Sequence, residues 1–282
     1  MTFQQLVRET ASALSGIESP GLEARLLAAH LFGGDMSNLY RSYREEAGPE
    51  QVDRVRAAAA RRTLGEPLQH ILGEAWFYGR RFICDRRALV PRPETETLVD
   101  VVLRSDLPDN PWIVDVGTGS GVVGITLALS LPGSSVIGTD ISPEAAALAR
   151  ENGALHKARN FRVVAADLVL GLSGEHHAVA ANLPYIPTGD LPGLPPEVGF
   201  DPVQALDGGA GGTNLIAGLV DTVGSILCPG GLLALEIGPD QEKAVRGFLS
   251  DWKDVSVFED LCGRPRVVAA RRRGRPWPAG CR

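Results

Sequence analysis

The stretch that most restricts what this chain can fold into is Trp112-Ile113-Val114, which runs into Asp115-Val116-Gly117-Thr118-Gly119-Ser120-Gly121. Apolar positions Val122, Val123, Ile125, Leu127 and Leu129 follow it. A buried strand, a glycine turn and a helix in that order predict one unit of an open α/β sheet, with a ligand seat at the turn. Glycines let backbone approach a ligand that a Cβ would hold off, and the helix start adds unpaired N–H groups and a positive dipole end. Gly119, Gly121 and Gly124 also fit the G-x-G-x-x-G spacing of dinucleotide dehydrogenases, so the turn alone does not name its ligand.

Two further strand ends sharpen the choice. Ser135-Val136-Ile137-Gly138-Thr139 ends at Asp140, about 20 residues past the turn, where a carboxylate can accept both hydroxyls of a ribose. Phe161-Arg162-Val163-Val164-Ala165 is followed by Asp167 and Leu168, a carboxylate and an apolar face suited to the edge and plane of adenine. The plainer alternative is that each Asp caps a helix or a turn, and Ser142-Pro143 after Asp140 does look like a helix start running through Ala149. Three strand ends in the right order favour an adenosine site.

A fourth strand end carries the chemistry. The apolar run Ala178-Val179-Ala180-Ala181 gives out at Asn182-Leu183-Pro184-Tyr185. An amide oxygen, backbone carbonyls and an aromatic face at the end of a buried strand suit the holding of a planar, weakly nucleophilic nitrogen beside an electrophile. That predicts nitrogen methylation by positioning, with Asn182 and the Leu183 carbonyl orienting the nitrogen and Pro184 and Tyr185 walling the pocket. The competing role for Asn182 is to satisfy turn backbone.

At 282 residues the chain has room for one large α/β domain and a small second one. Cys84, Cys228, Cys262 and Cys281 form no C-x-x-C pair, so neither a zinc site nor a disulfide framework is expected. His30 sits among aliphatics without a second ligand at metal spacing, and reads as a core or capping residue. The opening residues Met1-Thr2-Phe3-Gln4-Gln5 lack a basic region followed by an apolar core, and no uncharged apolar stretch is long enough to span a membrane. A cytoplasmic protein with no membrane role is expected. Net charge is −6, with the acidic excess in the α/β region, which argues against direct nucleic-acid binding there. The five arginines of 271–282, with no acid among them, read as a solvated, disordered tail.

Along the chain, 1–72 reads as a small helical bundle: Phe3, Leu6, Val7 and Ala11 keep helical spacing, and Leu22 to Leu31 and Val52 to Leu64 supply further helices. Residues 73–96 read as a hairpin and linker, with strands at 76–78 and 81–84 and a helix starting near Glu94. The third region, 97–270, alternates strands and helices and predicts a mostly parallel sheet. Its later elements are a helix from Asn214 to Leu227, a tight turn at Pro229-Gly230-Gly231, a strand to Glu236, a helix after Pro239, and strands near 255–258 and 266–270. Between Pro184 and Gly212, a segment rich in Pro and Gly predicts a long loop over the strand ends.

In combination these residues resemble the release-factor glutamine N5-methyltransferases, the HemK or PrmC family. The similarity rests on Glu66-Pro67-Leu68-Gln69-His70-Ile71-Leu72-Gly73, on Val90-Pro91-Arg92-Pro93-Glu94-Thr95-Glu96, on the turn 117–121 and on Asn182 to Pro187. It continues at Asp201-Pro202 with Ala205-Leu206, at Leu235-Glu236-Ile237-Gly238, and at Asp260-Leu261-Cys262-Gly263-Arg264-Pro265-Arg266. The resemblance implies a class I, Rossmann-like fold dependent on S-adenosylmethionine, preceded by a helical domain that recognises the protein substrate. By position, Asp115 and Gly117, Thr118, Gly119, Ser120 and Gly121 would surround the methionine part of the cofactor. Asp140 would bind ribose, Asp167 and Leu168 would border adenine, and Asn182 would hold the acceptor amide. The implied acceptor is the glutamine of a Gly-Gly-Gln loop in a peptide-chain release factor.

Two departures bear on substrate. Leu183 stands where the family usually has proline, a variant similar to that of ribosomal RNA adenine dimethyltransferases, and it frees a backbone φ that proline would fix, which is expected to loosen the loop. Gly211-Gly212-Thr213-Asn214 stands where Asp-Gly-Leu-Asp is usual. Both motivate an alternative, a paralogue methylating a free amino acid or small metabolite such as an arginine guanidinium.

Overall fold

The computed structural model describes residues 1–274. The chain forms two compact units, one of Met1–Glu74 joined by Pro195–Phe200, the other of Ala75–Leu194 and Asp201 onward.

The first unit contains α1 (Phe3–Ala13), α2 (Pro20–Leu31), α3 (Met36–Arg41), α4 (Pro49–Thr63) and α5 (Leu68–Leu72). A capping box starts α1, in which the Thr2 side chain accepts from Gln5 N–H and the Gln5 side chain accepts from Thr2 N–H. Leu6, Leu14, Leu27 and Val55 close the core with no exposed surface. The short α3 has too few apolar positions to show a period; Asp35 starts it by accepting from Asn38 N–H at 2.8 Å. His30 is not a core residue: it is exposed in the last turn of α2, its Nδ1 3.9 Å from Glu74. The buried Arg62 guanidinium binds Glu23 at 2.6 Å, Glu197 at 3.0 Å and the Glu66 carbonyl at 3.2 Å. Glu197 belongs to the segment that the α/β region returns to this unit. Pro/Gly content alone gave no sign of that return.

In the second unit a hairpin pairs β1 (Glu74–Phe77) with β2 (Arg80–Ile83). Its turn is Tyr78-Gly79, both left-handed at φ 51° and 71°, rather than Gly79-Arg80. A 3-10 turn over Pro93–Thr95 then leads into α6 (Glu96–Leu103). The rest of the unit runs β3 (Trp112–Val116), α7 (Val122–Ser130), β4 (Ser135–Asp140), α8 (Pro143–Leu155), β5 (Phe161–Ala165), β6 (His176–Ala181), α9 (Asn214–Val223), β7 (Leu227–Glu236), α10 (Glu242–Phe248), β8 (Lys253–Glu259) and β9 (Pro265–Arg271).

Seven strands form one sheet in the order β5-β4-β3-β6-β7-β9-β8. The first five are parallel, β9 runs antiparallel to β7, and β8 antiparallel to β9. The two faces follow from the period of two along a strand. Ile113, Ala178, Ala180 and Ala234 pack with α6 and α7, while Val114, Val116, Val179 and Leu233 pack with α9 and α10. Burial on both faces explains why the central strands are unbroken apolar runs. The fold is the class I, Rossmann-like sheet expected from the alternation of strands and helices.

Three local expectations need correction. Pro229-Gly230-Gly231 is not a turn between elements but an irregularity inside β7, where the register against β6 shifts and Gly230 takes φ 79°. As β7 therefore begins at Leu227, α9 ends at Val223 rather than 227. Arg271 is the last residue of β9, and Arg272 still exchanges backbone hydrogen bonds with Gly230 and Gly231. The remainder of the expected basic tail, 275–282 with Cys281, lies outside the described residues. Among the described residues no helix is long and apolar enough to cross a membrane.

Candidate active site

Parallel strands with helical crossovers deliver the ends of β3, β4 and β6 to one edge of the sheet, where open α/β folds bind ligands. After β3 the backbone turns through Gly117, Gly119 and Gly121, all left-handed at φ 70°, 55° and 84°. Asp115 holds this turn: its Oδ2 accepts from Thr118 Oγ1 at 2.6 Å and from Gly124 N–H at 2.8 Å. Burial pushes the Asp115 carboxyl up to about 6 against those two bonds. Expected as a cofactor contact, Asp115 does line the cavity, but one of its oxygens is committed to building the turn. A Cβ on Gly124 would stand 2.5 Å from Phe161 Cε2 and 2.9 Å from Asp115 Oδ2. The third glycine of the G-x-G-x-x-G spacing is thus demanded by helix-to-strand packing. Gly121 faces α8, where a Cβ would meet Ala149 at 3.2 Å, and does not line the cavity.

Asp140 ends β4. Its Oδ2 accepts from Gly119 N–H at 2.8 Å and its Oδ1 from Ser142 N–H at 2.9 Å. Each oxygen keeps lone-pair capacity for a further donor. Burial raises this carboxyl's pKa while the backbone donors oppose the shift. The helix start is a separate matter: α8 is capped by Ser142, whose Oγ accepts from Ala145 N–H at 3.1 Å. Beyond β5, Asp167 is exposed and Leu168 half-buried with φ 49°; the Leu168 carbonyl accepts from Thr139 Oγ1 at 2.8 Å.

Asn182 follows directly on β6, and its Nδ2 donates to Thr95 Oγ1 at 3.0 Å. Leu183 does not loosen the loop. Its side chain is 4% exposed in the core with Val116 and Ile216, and its Cδ2 lies 3.0 Å from where a Cβ of Gly117 would be. The leucine side chain therefore anchors backbone that proline would otherwise restrain through φ. Tyr185 is not part of the cavity wall, which Pro184 is. The Tyr185 carbonyl accepts from Gln241 Nε2 at 2.8 Å, and its ring lies beside Gly238.

Sequence reasoning missed the residues that hold the loop. Gln241 Nε2 also donates to the Gly212 carbonyl at 3.1 Å, and its Oε1 accepts from Gly238 N–H at 2.9 Å, so one amide fastens three loop segments. Asp201, its side chain wholly buried, accepts from Val90 N–H at 3.1 Å and from Arg92 at 3.0 Å. A lone Gln after Pro239 carries no motif; the Arg92 and Asp201 motifs were visible, but their pairing across the chain was not.

Together these elements enclose a cavity of about 390 Å³ lined by Gly117 to Ser120, Asp140, Asp167, Leu168 and Asn182 to Pro184, with Pro202, Gln204 and Ala205 from the long loop. That is the size of a small-molecule site. Four carboxylates line it, those of Asp115, Asp140, Asp167 and Asp207, against two cations. Both cations are engaged: Arg87 pairs with Asp85 at 2.8 Å and Glu151 at 2.7 Å, and Arg92 with Asp201. At Gly119 a Cβ would meet nothing closer than the Ala88 methyl at 3.8 Å, so the protein leaves that room open.

Residues 5–73 match the PrmC N-terminal domain and residues 95–190 the methyltransferase small domain. The release factor glutamine methyltransferase of Deinococcus radiodurans is 38% identical over 279 residues, spanning 97% of this chain and 100% of that protein. That of Moorella thermoacetica is 38% identical over 281 residues, spanning 97% and 99%. A methyltransferase structure from Pyrococcus furiosus shares the fold, with a TM-score of 0.52 at 19% identity over 70% of this chain and 91% of that one.

Proposed function

The chain belongs to the release factor glutamine methyltransferase family, and from that membership we propose that it methylates the side-chain nitrogen of the Gly-Gly-Gln loop glutamine of a peptide-chain release factor, with S-adenosylmethionine as donor. The observation that carries this proposal is that Asn182 lines the same cavity as the glycine turn and Asp140. The proposed acceptor and donor seats thereby share one cavity.

Bound S-adenosylmethionine supplies a methyl group on a cationic sulfonium. The lining fits such a group: the open room at Gly119 would admit it, Asp140 has capacity for ribose hydroxyls, and Asp167 with Leu168 would border the adenine. A nicotinamide dinucleotide fits less well, because its doubly anionic pyrophosphate would share a cavity lined by four carboxylates and by two arginines that are already paired. In the proposed mechanism Asn182 Oδ1 and the Leu183 carbonyl accept the two N–H groups of the glutamine amide. They turn the face of its nitrogen toward the donor and stabilise the positive charge that grows there as the bond forms. The N-methylated amide, cationic and strongly acidic, then passes one of its two N–H protons to solvent water. Positioning does the work, and no strong base is required.

The burial of Leu183 supports the release factor over the small-molecule acceptor by weakening one of the two departures that motivated the latter, Gly211 to Asn214 being the other. So does the similarity over the full length of the Deinococcus radiodurans protein. A release factor substrate also supports a cytoplasmic location. The test is incubation with labelled methyl donor and, separately, purified release factor, free arginine and free glutamine. Label on the release factor alone is expected; label only on a small molecule would overturn the assignment.

A further inference from the structure

The acidic excess of the α/β unit is not uniform. From Ala145 to Ala166 the chain carries four full cations, Arg150, Lys157, Arg159 and Arg162, and one acid, Glu151, whose two oxygens are taken by Arg87 at 2.7 and 2.8 Å. All four cations are exposed, and they line one shallow depression of about 310 Å³ where the end of α8 passes into β5. Arg150 and Ala154 lie one turn apart on the outer side of α8, and Lys157 follows where the helix ends. Among the described residues the depression has no carboxylate in its lining and none of the four cations is in a salt bridge. Only Arg150 is engaged, its Nη2 donating to the Val163 carbonyl at 3.3 Å. Because α8 runs back from the end of β4 to the start of the parallel β5, the depression lies at the end of the sheet opposite the cavity.

Lys157 is held there against its backbone preference. α8 ends in a Schellman arrangement, in which Lys157 N–H donates to the Ala154 carbonyl at 3.1 Å and Ala158 N–H to the Gly153 carbonyl at 3.0 Å, with Lys157 left-handed at φ 54°. Glycine is the usual residue at that position, because a Cβ is strained in the left-handed region. A cation suits the negative end of a helix dipole, but that effect is confined to the last turn. It accounts neither for Arg150, which lies further back, nor for Arg159 and Arg162 beyond the helix.

We infer that this basic face binds the phosphate backbone of single-stranded RNA, independently of the reaction proposed above. Its chemistry favours a polyphosphate over an acidic protein. Protein partners are held by aromatic and aliphatic anchors, and the apolar lining here is small or covered: Gly153, Ala154 and Ala158, with Phe161 buried and Val163 half-buried. Phosphate contacts need cations alone. From Arg150 to Lys157 the helix rises about 10 Å, room for about three successive phosphates of one strand. So short a row engages one strand, and the abundant single-stranded polyanion of a cell is RNA.

The test is fluorescence anisotropy of the full chain with a fluorescein-labelled, unstructured RNA of about 20 nucleotides at 50 and 200 mM salt. Contacts to four phosphates predict a dissociation constant about fiftyfold larger at the higher salt. Arg159→Ala with Arg162→Ala should halve the logarithmic salt slope, and Arg159→Glu with Arg162→Glu should remove binding. Arg44→Ala with Arg54→Ala, exposed in the helical unit, should leave binding unchanged. Lys157→Gly should weaken binding without lowering the melting temperature, since relief of the left-handed strain offsets the extra chain entropy of glycine. Wild type that fails to bind RNA at 50 mM salt, or undiminished binding by the Arg159→Glu, Arg162→Glu chain, would overturn the assignment. Poly-glutamate that binds as tightly as the RNA would also overturn it, in favour of an acidic protein partner, as would preference for a DNA duplex of the same length.

Discussion

At the scale of single residues the site separates groups proposed to touch ligands from groups that hold the walls. Asn182 lines the cavity and is proposed to offer its oxygen there, whereas Asp115 Oδ2, Asp201 and Gln241 bond backbone and side chains of the protein itself. Replacing Asn182 by Ala should cut turnover about a hundredfold and leave affinity for S-adenosylhomocysteine nearly intact, because the glycine turn and Asp140 are untouched. Label transfer and calorimetric titration read the two quantities separately, and an equal loss in both would mean that Asn182 shapes the donor seat instead. Asn182 was legible in sequence because the apolar run before it stops abruptly. The identity of its partner was not, since Thr95 lies 87 positions away and a threonine in a Pro-Arg-Pro-Glu-Thr-Glu segment has no periodicity to betray its direction. Leu183 shows the opposite failure. Proline's missing constraint was visible, but the buried side chain that replaces it depends on a three-dimensional contact with Gly117.

At the scale of elements, packing decides where glycine is required. In the first turn of α7, Gly124 gives up at most about 1 kcal/mol of helix propensity relative to Ala. Against this, a Cβ there would lie 2.5 Å from Phe161 and 2.9 Å from Asp115, and forced overpacking of a core costs about 1–3 kcal/mol. The steric term wins, so Gly124→Ala should lower the melting temperature and weaken S-adenosylhomocysteine binding by displacing the Asp115 anchor. A melting temperature equal to or above that of wild type would show that propensity dominates. The succession of strands along the chain was most readable at the centre of the sheet, because burial on both faces makes β3, β6 and the second half of β7 nearly continuous apolar runs. Their ends were less so: β7 begins four residues before Gly231, since Pro229-Gly230 forms a bulge that local composition presents as a turn.

At the scale of the whole molecule, the segment between the Asn182 motif and Asp201 departs from the α/β unit, contributes Pro195–Phe200 to the helical unit, and returns. Arg62 fixes that contribution from within the helical unit through Glu197, while also satisfying Glu23. Removing one member of a buried ion-pair cluster leaves its partners uncompensated, at about 3 kcal/mol. Arg62→Ala should lower the urea midpoint and speed amide hydrogen exchange at 195–200 ahead of the β-strands, and uniform exchange across the chain would contradict that role. None of this was legible, because a Pro- and Gly-rich stretch reveals that it is a loop without revealing where its middle is held. The family relation extends over both units, which is why the proposed substrate is a protein and not a free amino acid. The central claim is most directly tested by digesting a release factor after incubation with the enzyme and S-adenosylmethionine and locating the modification by tandem mass spectrometry. The account predicts a single methyl group on the side-chain nitrogen of the Gly-Gly-Gln glutamine, lost with Asn182→Ala. A methyl group at any other residue, or at that glutamine irrespective of Asn182, would contradict it.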